Sequence, residues 1–245
     1  MKNKKILISQ PAPKNGSPYT DLIAKYGIDI DFIPFFKVEP VDSKEFRLQK
    51  INILEFTCVV FTSRTTIDAF FNLCEELRIT VPETMKYFCI SEAVALYLQK
   101  HIVYRKRRVF FGNGTPKSII EAIGAKHQSE NFLLTVADNY KSDLNRLFTK
   151  SKLKHSSAIL VKTISSDLSE LDIKSYDVVV FYSPSDVKSL KENFKNFSQE
   201  ELKFATFGPA TLKALKAAKL VPTVIAPTPE APSIAKALSL YFEQK

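Results

Sequence analysis

The 245 residues carry 35 Lys and Arg against 26 Asp and Glu, a net charge of +9, and 45% of them are apolar. That supplies hydrocarbon for one large or two modest cores and a surface that gathers anions. No stretch approaches the ~18 uninterrupted apolar residues of a membrane span, and behind MKNKK only Ile6-Leu7-Ile8 precedes polar Ser9 and Gln10, too short for a signal peptide. A cytoplasmic protein without membrane contact is predicted.

Along the chain, short apolar runs alternate with helical patterns. Strands are predicted at residues 4–9, 57–62, 86–90, 108–111, 132–136, 177–182, 203–207 and 221–225. Each is rich in β-branched or aromatic residues without polar alternation, as in strands covered on both faces. Between them, Ile67, Phe70, Phe71, Cys74 and Leu77 form a helical stripe, and Val187, Leu190, Phe194 and Phe197 a second. Thr115-Pro116, Gly208-Pro209 and Ala231-Pro232 mark helix starts, where the missing proline N–H is harmless, and Gly27 and Gly124 mark helix ends. Such alternation builds α/β layers around parallel sheets.

Cys58, Cys74 and Cys89 are odd in number, lie on apolar faces and form no CxxC pair, so they read as buried free thiols. His101, His127 and His155 stand apart from one another, and no metal is predicted. Six glycines form neither GxGxxG nor GxxxxGK[ST], which leaves no phosphate-cradling loop for a nucleotide cofactor. The basic run Tyr104-Arg105-Lys106-Arg107-Arg108 has no basic helix or nucleic-acid motif around it and reads as a solvated loop.

The corner VVFTSRTTIDAFF (59–71) is echoed by VVVFYSPSDVKSL (178–190), and the stretch from Lys86 to Leu98 by that from Lys203 to Leu215. Ser63 to Ser183 is an offset of 120 residues and Lys86 to Lys203 one of 117, in the same order, as expected of two similar lobes. The extended segments Ile30–Pro40 and Ser156–Thr163 fit neither lobe as buried strands. Paired as a two-stranded linker over residues 35–42 and 156–164, they leave a middle lobe at 43–155 and a discontinuous outer lobe at 1–34 plus 165–245, with a cleft between them. In open parallel sheets the ligand crevice lies beyond the carboxyl ends of the strands, where helix N-termini present free amides. Ser63, Arg64, Thr65 and Thr66 occupy such a tip in one lobe, and Ser183, Ser185, Gly208, Pro209 and Thr211 in the other. Each serine alone reads most simply as an N-cap; as paired sets they read as anion contacts.

FTSRTTI, YSPSDV and FGPATLKAL, followed by PTPEAPSIAKAL and preceded by IPFFKVEP, give an order that resembles the uroporphyrinogen-III synthase family over nearly the whole chain. The resemblance implies two α/β lobes joined by a two-stranded ladder and a cofactor-free lyase of tetrapyrrole (haem) biosynthesis, here a monomer. Its substrate, the anionic linear tetrapyrrole hydroxymethylbilane, is closed with loss of water and inversion of the last pyrrole ring. Position by position, Ser63, Ser183, Ser185 and Thr211 match the family's tip hydroxyls; with Arg64 and Thr65 beside Ser63, Ser91 on the other second-lobe turn and Gln10 at the end of the first strand, these eight are the implied substrate contacts. Three positions depart from the family. Ser91 and Val94 stand where a glycine and a threonine are common, Val161 where a linker tyrosine is common, and Ser9-Gln10-Pro11 where Thr-Arg-Pro is common. With Val161 carrying no hydroxyl, the catalytic candidates are Thr211 and Tyr182, with Tyr140, Tyr19 or a held water as other proton sources. The competing reading is a hinged two-lobed binding protein for a small anion. A receiver-like module fits poorly because KILISQPAP carries no carboxylate.

Overall fold

The computed structural model describes residues 4–14, 16–138 and 143–243. In chain order its elements are β1 (Lys5–Ile8), α1 (Thr20–Tyr26), β2 (Asp29–Phe32), β3 (Phe36–Pro40), α2 (Ser43–Leu48), β4 (Cys58–Phe61), α3 (Arg64–Glu76), β5 (Lys86–Cys89), α4 (Glu92–Tyr97), β6 (Val109–Phe111), α5 (Pro116–Ile123), β7 (Asn131–Ala137), α6 (Asp143–Lys150), β8 (Lys154–Ser165), β9 (Val178–Phe181), α7 (Pro184–Asn193), β10 (Lys203–Phe207), α8 (Pro209–Ala217), β11 (Pro222–Ala226) and α9 (Ile234–Glu243). The chain divides into two compact units, residues 1–37 with 164–245, and residues 38–163. None of the described helices is long and apolar enough to cross a membrane.

One sheet has the order β11-β10-β9-β1-β2, and every neighbouring pair in it is parallel. Its central strand shows why the apolar run is unbroken. Val178 and Val180 point into a core with α1 and α9, while Val179 and Phe181 point into another with α7 and α8. The other sheet has the order β3-β8-β7-β4-β5-β6, parallel from β8 to β6. Here Val59 and Phe61 face α3 and α4, and Cys58 and Val60 face α5 and α6. All three cysteines are free and buried. Phe61 is fully enclosed, its ring edge-on to Phe70 at 5.5 Å; truncating such a side chain to alanine costs about 3–5 kcal/mol.

Each predicted strand is present within a residue or two of its expected limits. The 30–40 run departs from expectation. It breaks at Ile33-Pro34 into β2, the edge strand of the first sheet, and β3. β3 does pair with β8, as the Val41 N–H to Leu160 carbonyl bond of 2.9 Å illustrates. Yet β8 is no free-standing linker strand, because it also lies parallel against β7 and extends the second sheet. Two helix limits differ as well. Ser233, not Pro232, caps α9, its Oγ accepting the Lys236 N–H at 3.2 Å. Helix α7 closes at Phe194, leaving Phe197 beyond its end, where its ring stacks on Phe204.

Candidate functional site

In each unit the chain steps along the sheet in opposite directions from one place, where the two strands that meet also send their helices to opposite faces. In the first unit it lies between β9, followed by α7, and β1, followed by α1. Crevices open at the carboxyl ends of such strands. Ser9 follows β1, its N–H donating to the Val180 carbonyl at 3.1 Å, and is 2% exposed; Gln10 beside it is exposed. Ser183 follows β9 as N-cap of α7. Its Oγ accepts the Asp186 N–H at 3.3 Å, and Asp186 Oδ2 accepts the N–H groups of Tyr182 and Ser183, both at 2.8 Å. This reciprocal capping box fixes the corner.

Asp186 does more than cap. It is 1% exposed, and burial pushes its carboxyl above the ordinary range despite the two backbone bonds. Its second oxygen, Oδ1, has no partner in hydrogen-bond geometry among the described residues, and neither has Ser9 Oγ. The serine hydroxyl is still near enough to ease the carboxylate charge. Sequence reasoning noted Ser9 only as a departure from the family and gave Asp186 no role, although Ser183-x-x-Asp186 is a capping-box pattern.

Next to this corner the Tyr19 and Tyr182 hydroxyls hydrogen-bond to each other. Tyr19, at the start of α1, is 3% exposed and packs on Phe32; Tyr182 is half-buried and packs on Phe207. Burial pushes both phenols up, but the shared bond raises Tyr19 further while it eases Tyr182 down. Either hydroxyl can be the donor of this bond; the arrangement in which Tyr19 donates leaves the Tyr182 O–H proton for another acceptor. Tyr140, the other tyrosine considered, lies outside the described residues.

The neighbouring tip after β10 is made by Gly208 at φ +84°, a backbone conformation that side-chain-bearing residues rarely adopt, followed by Pro209 in the first turn of α8. Thr211 sits on that turn and is 2% exposed, and Ser185 is half-buried on α7.

The second unit builds comparable corners. Ser63 caps α3, accepting the Thr66 N–H at 3.2 Å, while Thr66 Oγ1 donates back to the Ser63 carbonyl at 3.0 Å. Thr65 is exposed, as is Arg64, whose guanidinium lies 5.4 Å from the Tyr97 ring centroid. Ser91 precedes α4 with extended backbone but makes no capping bond. Val94 holds the same third helical position on α4 that Thr211 holds on α8, and it is packed into the core. Val161, on β8, is 3% exposed. Within the first unit, then, the fold joins Tyr182, Tyr19 and Ser183 into one corner; Ser63, Arg64, Thr65 and Ser91 form a separate set on the second.

The sequence matches the family model described as uroporphyrinogen-III synthase HemD over residues 17–236. It is 25% identical, over 93% of each chain, to the uroporphyrinogen-III synthase of Schizosaccharomyces pombe. Among solved structures, a uroporphyrinogen-III synthetase from Helicobacter pylori 26695 covers 99% of this chain and 100% of its own at TM-score 0.58 and 16% identity. A mutant uroporphyrinogen III synthase from Thermus thermophilus does the same at TM-score 0.55 and 14% identity. At such identities the two structures show a shared fold.

Proposed function

The chain belongs to the uroporphyrinogen-III synthase family, and on that premise we propose that it acts as a lyase, cyclising hydroxymethylbilane with loss of water and inversion of the last pyrrole ring. The match spanning residues 17–236 carries this reading. Its substrate bears carboxylates on every ring, and the corners offer what such a polyanion needs: helix N-termini with hydroxyls beside them, on a protein of net charge +9. In this reading the substrate contacts are Gln10, Ser63, Arg64, Thr65, Ser91, Ser183, Ser185 and Thr211.

The chemistry asks little of the protein beyond orientation and one proton. Breaking the terminal C–O bond sends the hydroxyl off as water once the oxygen is protonated, and the cation left behind is attacked by the last ring. We assign that proton to Tyr182. It is the more exposed of the two bonded phenols, Tyr19 can donate to its oxygen so that its own proton is left for the substrate, and the Asp186 carboxylate fixes its backbone N–H at 2.8 Å. Tyr19 acts through Tyr182 and is a positioning residue. Reopening of the spiro intermediate and closure on the inverted ring follow while the tips hold the carboxylates.

The test is to supply purified protein with freshly generated hydroxymethylbilane, oxidise the products and separate the type I and type III isomers. Predominant type III is expected. Type I alone, the product of unaided closure, from folded protein would overturn the reading.

A further inference from the structure

The basic run read as a solvated loop is not uniformly solvated. Lys106 and Arg107 are exposed and Arg105 reaches Glu83 at 3.3 Å, but Arg108 is half-buried, and among the described residues its guanidinium has no carboxylate and no hydrogen-bond acceptor. Its backbone is pinned, since its N–H donates to the Arg105 carbonyl at 2.8 Å and its carbonyl accepts the Tyr87 N–H at 2.7 Å. An arginine held in place, partly desolvated and unpaired is an unusual thing for a fold to keep without an anion.

Arg108 lines a cavity of about 430 Å³ in the second unit, within the size range of small-molecule sites. The walls are hydrocarbon and sulfur, from Phe71, Cys74, Ile79 and Ile102. Tyr87 also lines it. That residue is 4% exposed, yet its hydroxyl has no hydrogen-bond partner among the described residues. Tyr87 and Arg108 thus line one cavity, and the Arg108 charge works against the burial that pushes the Tyr87 phenol up.

We propose that this cavity is a second ligand site, taking a monocarboxylate with a compact aromatic or branched apolar body, its carboxylate paired to Arg108 and hydrogen-bonded by the Tyr87 hydroxyl. Charge count fixes the single anion. Of the other basic side chains on the lining, Arg105 is held by Glu83, and His101 contacts Asp68 at 2.8 Å. Glu75 and Glu83 on the lining oppose a second carboxylate, so a polyanionic tetrapyrrole is the wrong ligand here.

Naphthalene-2-carboxylate and its uncharged carboxamide, titrated into the full chain at low salt, distinguish the outcomes. The carboxylate is expected to bind at least ~10-fold more tightly than the amide, and to move the methyl resonances of Ile79 and Ile102 in the unmodified protein. Arg108→Gln should bring the acid down to the amide's affinity while bilane turnover stays unchanged, and Tyr87→Phe should weaken the acid more than the amide. Equal binding of acid and amide, no binding of either, shifts confined to other residues, or an Arg108→Gln variant that keeps full affinity for the acid would each overturn the site.

Discussion

Tyr182 and Tyr19 share one hydrogen bond but not one role, and a single oxygen removed from each separates them. Tyr182→Phe takes away the assigned proton donor and should lower turnover ~10- to 100-fold, the lower part of the range for general acids because the bilane closes unaided. It also leaves the Tyr19 hydroxyl buried and unpaired, at about 1–3 kcal/mol of stability. Tyr19→Phe breaks the same bond yet keeps the donor. Turnover should stay near normal, and because the Tyr19 bond eases the Tyr182 phenol down, losing it moves the alkaline limb of the pH–rate profile upward. Equal rate losses with no shift of that limb would reject the assignment. Thr211 permits a cleaner comparison, since Val94 shows that the same helical position accepts a valine in the second unit. Thr211→Val should change the melting temperature by little and cut turnover ~10-fold, the value of one lost hydrogen bond in a transition state; matching losses of rate and stability would make Thr211 structural. The corners were legible in the sequence because a hydroxyl residue between an apolar run and a helical stripe is a local pattern. The tyrosine pair was not, because its members stand 163 positions apart and only the sheet order unites them.

Strands and helices were legible wherever the apolar run was bounded by polar residues, and least so where it was not. The 30–40 run reads as one extended piece because its apolar residues continue past Pro34, and only tertiary pairing assigns Asp29–Phe32 to one sheet and Phe36–Pro40 to the other. His127 shows the same limit. It follows α5 as an isolated histidine in sequence, but in the fold it is 4% exposed, its ring centred 4.7 Å from that of Phe110 and 5.5 Å from that of Phe88. Burial, then the neighbouring Lys86 charge, holds its pKa below 6.5, against the opposing pull of Glu130 at 3.9 Å. A histidine depressed in the folded state takes up its proton more readily when unfolded. Its contribution is therefore complete above about pH 6.5 and is lost as the pH falls, at up to ~1.4 kcal/mol per pH unit. Urea midpoints measured from pH 7.5 to 5.5 should fall more steeply for the native sequence than for His127→Phe, which keeps an aromatic ring and cannot titrate. Parallel slopes would place the acid sensitivity elsewhere.

The two sheets have one design threaded in two ways. Read β11-β10-β9-β1-β2 against β6-β5-β4-β7-β8 and the strands correspond in order and direction, with α7 and α8 matching α3 and α4 on one face and α9 and α1 matching α5 and α6 on the other. The first unit begins in the middle of this pattern, so β1 and β2 precede in sequence what their counterparts β7 and β8 follow. That permutation explains why sequence echoes are found at offsets of 120 and 117 for the β4–α3 and β5–α4 corners, while β7 and β8 have no echo downstream. Duplicated corners give a basic chain duplicated anion tips, and the consequence is measurable for the molecule as a whole. The protein carries +9 and its proposed substrate several carboxylates, so encounter is drawn by long-range attraction that salt screens, the Debye length shrinking from ~10 Å at 0.1 M to ~3 Å at 1 M. Proton transfer at Tyr182 takes place at contact distance and is screened little. Raising salt from 0.05 to 0.5 M should therefore lower kcat/KM severalfold, mainly through KM, with kcat nearly constant. A fall in kcat with KM unchanged would mean that salt acts on the chemical step, and that the surplus positive charge takes no part in capturing the substrate.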